Sequence, residues 1–340
     1  MNASKQVWMP AEWELHKATW LTWPHDEAHW PGMFERIGPI WANMAKELER
    51  GEEVHILIHD KKTANEADRS LDRAAAIGRH IHFHQVPNNF SWARDHGPIF
   101  VKDETGKLQV THWKYNAWGE KWAFELDDDV PIRVSEIVNL PRIDVPMVLE
   151  GGSIDVNGVG TLLTTESCLL HPNRNPTLSR REIEENLCTH LGVKKILWLG
   201  KGISGDDTDG HVDDLTRFVG PRTVITAIEP NESDENHRPL CENLERLKRM
   251  TDQDEKPLEV ITLPLPNPVI HEEMRLPASY ANFYIGNEVV LLPTFRDRND
   301  QKAFDTLSKL FPRRRVAAID AVDLIWGLGA FHCVTQQQPK

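Results

Sequence analysis

The stretch SIDVNGVGTLLT (153–164), NPTLSRREIEENLCTHLG (175–192) and KKILWL (194–199) contains one complete folding unit. Its first part is a pair of apolar runs broken by a turn rich in Asn and Gly, which reads as two adjacent strands. Its second part puts Ile183, Leu187 and Leu191 on one face of a helix that Asn175 and Pro176 open and Gly192 stops. Its third part, Lys194–Leu199, is a short apolar run of the buried-strand type. The order strand, strand, helix, strand then returns twice. Leu215–Ile228 is the next pair of runs, Leu240, Leu244 and Leu247 mark the helix face, and Leu258–Leu263 is the closing strand. Tyr280–Leu292, a helix capped by Asp300 and carrying Phe304, Leu307 and Phe311, and the strand Arg315–Ile319 repeat the pattern. A period of about 60 residues fits about five copies into the chain, which predicts a closed ring of repeats around an axis rather than an open sheet. The first two copies are fainter. Ile37, Ile40, Met44 and Leu48 form a helical pattern before the run Val54–His59, and the second copy begins near Trp92. With no Gly/Ser-rich linker or low-complexity tract, the expectation is one continuous α/β domain over residues 1–340, with surface loops at 125–129 and 231–237.

Composition narrows the function classes. The 340 residues, 40% of them hydrophobic, suffice for a sizeable core. Lys and Arg total 39 against 52 Asp and Glu, a formal net charge of -13. That balance argues against nucleic acid or an anionic membrane as partner and suits a small cation. Met1–Pro10 shows no signal-peptide pattern, and no apolar run approaches the ~20 residues of a membrane span, so a cytoplasmic protein is expected, with homo-oligomerisation left open. The cysteines at 168, 188, 241 and 333 form no CxxC pair or dense framework and read as free thiols.

Four segments can carry chemistry. GLGAFHCVTQQQP (327–339) sets the thiol of Cys333 just after a Gly-containing turn, where backbone and ligand can approach closely. A buried small hydrophobe would explain Cys333 equally well in isolation, so its surroundings decide. GDDTDGHVDD (205–214) packs five aspartates and His211 into ten residues. It reads as a solvated acidic loop, a hard-cation site or a set of catalytic groups, but its spacing is not that of an EF-hand, and no zinc-ligand pattern accompanies His211. His211 and Asp213 sit at the start of the Leu215–Val219 strand, where a two-residue spacing sends both side chains to one side. There His211 can move protons while Asp213 binds positive charge. Glu150 in LEGGSIDV (149–156) and Asp95 in SWARDHGPIF (91–100) each precede a strand. Asp95 to Glu150 is 55 residues and Glu150 to His211 is 61, so a ring of repeats would gather all of them at its centre. Trp92 offers an aromatic face beside Asp95 for a flat cation or alkyl chain, while His96 and His332 are assigned structural roles. Five of the 12 tryptophans fall in the first 30 residues, which reads as packing.

Taken together with MPAEWELHKATWLTWPHDEAHWPG (9–32), ASYANFYIGNEVVLLP (278–293) and HCVTQQQP (332–339), these segments resemble the agmatine deiminase family, which is grouped with the bacterial-type peptidylarginine deiminases in the guanidine-modifying superfamily. The resemblance is close to full length. It implies a five-bladed α/β propeller, with Cys333 as nucleophile, His211 as acid/base, Asp95 and Asp213 as guanidinium binders, and Glu150 as the carboxylate supporting the histidine and substrate. It implies neither cofactor nor metal. One departure stands out: the family commonly has three glycines and an Asn before the His-Cys pair, where this chain reads Gly327, Leu328, Gly329, Ala330, Phe331. Bulkier residues there are expected to reshape the cleft around the far end of the substrate. The expected reaction converts agmatine to N-carbamoylputrescine through a covalent thiouronium on Cys333, a step in putrescine biosynthesis. Deimination of free or peptide arginine to citrulline is the alternative. A catalytically silent guanidinium- or polyamine-binding protein would need only the carboxylates, and a carboxylate-ligated metalloenzyme would lose activity to chelators. The three acids around Cys333 predict a neutral resting thiol that the arriving cation activates.

Overall fold

The computed structural model describes residues 7–340; the part of the amino-terminal reading that falls on Met1–Gln6 lies outside the described residues. Five sheets share one plan, a short strand antiparallel to a second, which is parallel to a third across a helical crossover. In the unit quoted above, Asp155–Val156 pairs antiparallel with Thr161–Thr165, which pairs parallel with Lys195–Leu199. Thr216–Phe218, Thr223–Ile228 and Glu259–Pro264 follow the same plan, as do Tyr284–Ile285, Val289–Thr294 and Arg315–Asp320. The second unit, Ile99–Asp103, Leu108–Lys114 and Arg142–Val148, gains Val7–Trp8 along its outer edge. The first unit is assembled from both ends of the chain: Thr335–Pro339 lies antiparallel to His16–Thr22, and Glu53–Ile58 and Ile81–Gln85 continue the sheet in parallel. The fold is thus mixed α/β, and no single sheet closes on itself.

The helices form where apolar spacing and end signals coincide, though not always at the residues the sequence suggested. Ile183, Leu187 and Leu191 are buried along the helix Arg180–Leu191. It opens at Ser179, which exchanges hydrogen bonds with Glu182 in a capping box, and not at Asn175. The Asn175 amide is engaged elsewhere, bonded to both backbone groups of Val148. In the helix His237–Leu247, Leu240 and Leu247 are buried as expected, but the third inward position is Asn243. Its amide accepts from the backbone N–H of Gly200 and donates to the carbonyl of Lys201, so a polar side chain is satisfied where an apolar one was anticipated. Asp300 is the first helical residue of Asp300–Leu310, following Asn299, so it is not the cap. Its carboxylate instead accepts from the N–H groups of Phe295 and Asp297 and the hydroxyl of Tyr280, fixing the loop ahead of the helix.

The segment 125–129 is likewise no simple surface loop. Glu125–Asp128 is a helical turn, and Asp127 within it is fully buried, accepting from the backbone N–H groups of Asn89 and Phe90. In 231–237, Asn236 is buried and accepts from the N–H of Ser204. The amino-terminal tryptophans are packing residues, in keeping with their clustering in the sequence: Trp20, Trp23 and Trp30 are buried. No helix among the described residues is long and apolar enough to cross a membrane.

Candidate active site

Each of the five units sends a side chain into one buried cluster from the same place, the turn that leads into its short first strand. Asp95 sits in the helical turn Ala93–His96, just before Ile99–Asp103. Glu150 precedes the 3-10 turn Gly151–Ser153, which leads to Asp155–Val156. His211 and Asp213 belong to the 3-10 turn Val212–Asp214 and its approach, not to the strand the sequence placed them on, which begins only at Thr216. Cys333 stands two residues before Thr335–Pro339. The fifth contributor, Asn282, two residues before Tyr284–Ile285, does not emerge from the sequence, although its place ahead of the strand in ASYANFYIGNEVVLLP was an available signal.

The expected side chains do converge. Cys333 Sγ lies 3.7 Å from Asp213 Oδ2, and His211 Nδ1 lies 3.7 Å from Asp95 Oδ1. Gly152 marks the centre of the group: a Cβ added there would stand 2.6 Å from His211 Nδ1, 2.8 Å from Asp95 Oδ1 and 3.0 Å from Asp213 Oδ2. Only a residue without a side chain leaves this space open. Its N–H donates to Asp95 Oδ1 at 2.9 Å, and Trp118 Nε1 donates to the other carboxylate oxygen at 2.9 Å, so Asp95 is held from both sides. Asn282 ties the nucleophile's turn together, accepting from the N–H groups of His332 and Cys333 and donating to Cys333 Sγ at 3.1 Å and to Asp214 at 2.9 Å.

Glu150 is partnered differently from expectation. One oxygen accepts from the fully buried Arg174, whose remaining donors go to Asp209 and to the carbonyls of Trp118 and Thr208. The other oxygen, like Asp213 Oδ1 and both ring nitrogens of His211, is buried with no hydrogen-bond partner among the described residues. Unsatisfied polar atoms of this kind are costly and rare, and these belong to residues gathered in one buried cluster, which marks it as a candidate functional site. His332, structural by the sequence reading, is also part of this site, since its ring bridges Asp213 Oδ2 at 2.7 Å and Glu12 Oε2 at 2.8 Å. Glu12 in turn pairs with Arg94 and Arg217, a buried network that the scattered residue numbers gave no means of detecting. His96 is structural as expected, bonded to the Phe90 carbonyl.

The charges sort the roles. Burial, only partly opposed by His211, raises the Asp95 carboxyl to about 6. Burial acts on Asp213 too, but His332, His211 and Arg217 bring it below its usual value. His211 is buried, yet Asp95, Cys168 and Asp213 hold its imidazole well above the ordinary range, so it is poised to donate a proton. Burial together with Asp213, Asp214 and Asp95 pushes the Cys333 thiol well above its normal value, in agreement with the neutral resting thiol anticipated from the sequence.

A cavity of about 370 Å³, walled by Trp92, Trp118, Trp122, Phe90 and Trp326 with Asp207 at its side, is not itself lined by Cys333, His211 or the acids but adjoins them through Trp118, which donates to Asp95. Trp92 packs against Trp30 and also faces the cavity, so it serves the core and the site together. The unusual turn is accommodated. A Cβ on Gly329 would meet the Trp92 ring at 2.5 Å; Leu328 takes a left-handed conformation at φ 70 and lines the cavity, whereas Ala330 and Phe331 are buried. Of the three departures, only Leu328 reaches the cleft wall.

Comparison with known proteins places this geometry in context. The agmatine deiminase of Enterococcus faecalis, solved catalysing its reaction, superposes with a TM-score of 0.93 at 30% identity, covering 100% of this chain and 99% of its own. A Cys-to-Ser agmatine deiminase of C. jejuni with substrate bound gives a TM-score of 0.90 at 31% identity, covering 98% of this chain and 96% of that one. A Legionella pneumophila protein, itself named only provisionally as an agmatine deiminase, is 36% identical over 344 residues, which span 100% of this chain and 97% of that protein. The model of the Porphyromonas-type peptidyl-arginine deiminase family matches residues 8–339, and the chain belongs to that family.

Proposed function

We propose that this chain is an agmatine deiminase, a hydrolase that converts agmatine to N-carbamoylputrescine and ammonia with Cys333 as covalent nucleophile. The observation that carries the reading is the convergence of one thiol, one imidazole and three carboxylates on a single buried space, with four of their polar atoms unpartnered among the described residues. A guanidinium cation supplies the N–H donors that Glu150 and Asp213 lack, and its charge offsets the acids. Held between Asp95 and Asp213, its central carbon would come within about 3 to 3.5 Å of sulfur. The cation also removes the reason for the thiol to stay neutral. Sulfur then bonds to carbon, the thiol's proton reaches the departing nitrogen by way of His211, and ammonia leaves a thiouronium on Cys333, taking the remaining imidazolium proton with it as ammonium so that His211 is neutral. Water, activated by His211, adds to that carbon, the C–S bond breaks, and the ureido product and the thiol are released. The aromatic walls suit a short alkyl chain, and the names of the Enterococcus and C. jejuni structures support agmatine as its source.

We further infer that the five like sheets close into a five-bladed propeller with the site on its axis, supported by the equivalent position of each site residue before the first strand of its unit. On the same footing we place the protein in the cytoplasm, as a step towards putrescine, with a small cation rather than nucleic acid or membrane as its partner.

The family's description favours a second reading, deimination of arginine within a peptide. One assay separates the two: agmatine, arginine and an arginine peptide are offered in parallel to wild type and Cys333→Ala, with ammonia and ureido product recorded. Agmatine should be turned over best, and Cys333→Ala should lose on the order of 10⁴-fold or more in kcat. Preference for the peptide establishes the second reading, and binding without product by the wild type makes the chain a guanidinium-binding protein instead.

A further inference from the structure

Beside His211 stands a second thiol, Cys168, that the mechanism does not use. Cys168, His211 and Glu150 each present a ligand atom, all within 4.8 Å of one another, and all three residues are buried. Glu150 Oε2 and both ring nitrogens of His211 lack hydrogen-bond partners among the described residues, so the carboxylate oxygen and one imidazole nitrogen are uncommitted. Ligand atoms about 2.0–2.3 Å from a tetrahedral zinc lie about 3.3–3.8 Å apart, a distance these three reach with small side-chain adjustments.

The framework that sets them is stiff. The hydroxyl of Thr165 accepts from the N–H of Cys168 and donates at 2.6 Å to the carbonyl of Gly210, the residue before His211, so one side chain fixes both backbones relative to each other. The N–H of His211 is held by Asp206 and Thr208. Arg174 anchors Glu150 by its other oxygen, leaving Oε2 available, and also reaches Cys168 Sγ at 3.9 Å, a contact the sulfur gives up when it binds the cation. The surrounding acids Asp95, Asp206 and Asp213 make the space attractive to a cation before any substrate enters. Carboxylates alone would favour magnesium or calcium; a thiol and an imidazole shift the preference to zinc and its thiophilic neighbours.

We propose that Cys168, His211 and Glu150 form an inhibitory site for a thiophilic divalent cation of the zinc class, which blocks the enzyme by occupying the imidazole needed for proton transfer. The cation binds Cys168 as thiolate and His211 as neutral imidazole, releasing both protons to solvent, and makes no bond to Cys333. The proposal rests on the catalytic role given to His211 above, so its primary test is spectroscopic and independent of turnover. Cobalt(II) serves as the probe, because a thiolate ligand gives it a near-ultraviolet charge-transfer absorption. Added to wild type, Cys168→Ser, Cys168→Ala, Cys333→Ser and Cys241→Ser, it should produce one equivalent of that absorption in the wild type, Cys333→Ser and Cys241→Ser proteins and none in either Cys168 variant.

Methylguanidine should reduce the wild-type signal by competing for the same negative space, a control that holds even where the Cys168 variants fold poorly. In assays, zinc should inhibit the wild type, chelator should reverse the inhibition, and Cys168→Ser should need about tenfold more zinc or higher for half-inhibition relative to its own uninhibited rate. Absorption that survives in the Cys168 variants or vanishes in Cys333→Ser overturns the proposal. Cobalt absorption that follows Cys168 in a protein inactive on agmatine leaves the metal site standing and removes the function assigned above.

Discussion

Asp95 is the residue whose chemistry is most exposed to measurement. Burial holds its carboxyl at about 6, so below that pH it is protonated and can no longer pair with a guanidinium. The expected result is an acid limb in kcat/KM for agmatine near pH 6, falling about tenfold per pH unit, while a profile flat down to about pH 4.5 would remove Asp95 from substrate binding. Stability has the opposite sign. The native state holds this proton more tightly than the unfolded chain, so the contribution of Asp95 to folding is complete below its unfolded value and is lost as pH rises through about 6. Bound guanidinium restores it. At this scale Cys333, His211, Glu150, Asp95, Asp213 and Trp92 were all nameable from sequence, because each lies in a short segment dense in glycine, acid or aromatic residues beside a strand. Arg174, Glu12 and Cys168 were not. The importance of each comes from partners elsewhere in the chain, as Glu12, although it lies in an acid- and Trp-rich segment, shows against His332, a separation no local pattern encodes.

Short turns, rather than strands, hold the chemistry. The turn Gly151–Ser153 donates to Asp95 and lies against His211 and Asp213, so its backbone is the common floor of three side chains. Gly152→Ala would push a methyl group to within 2.6 Å of His211 Nδ1. The relaxation needed is expected to cost about 1–3 kcal/mol in stability and about 100-fold in kcat/KM, read by thermal unfolding and agmatine kinetics. A variant with unaltered kinetics would mean the three groups do not act as a unit. Apolar periodicity located these elements, because it reports burial well. It misjudged their ends, because hydrogen bonds decided those: Ser179 with Glu182 opened a helix that Asn175 was expected to begin, and Asn243 took an inward position by bonding to Gly200 and Lys201. The turn at His211 differs from the expected strand for a related reason, since its backbone is pinned by Asp206 and Thr208 before the ladder starts.

At the scale of the whole molecule, the two ends of the chain meet in one sheet. Thr335–Pro339 is buried throughout and runs beside His16–Thr22, with Gln336 and Gln337 bonded to Arg94 in the second unit. Removing residues 335–340 should therefore abolish activity even though Cys333 remains, and should lower the midpoint of urea unfolding for the protein as a whole, not merely for its last turn. Unchanged unfolding would show that the strand is an ornament to the first sheet. Because the thiol and the strand that seats it follow every other site residue in sequence, a ribosome making this protein completes the reactive centre only after all the acids and the imidazole have been made. Nascent chains halted between Asp213 and Cys333 hold the acids and the imidazole but not the nucleophilic sulfur. Hydrolytic capability thus arrives as a single event, coincident with docking of Thr335–Pro339 against a strand synthesised long before it.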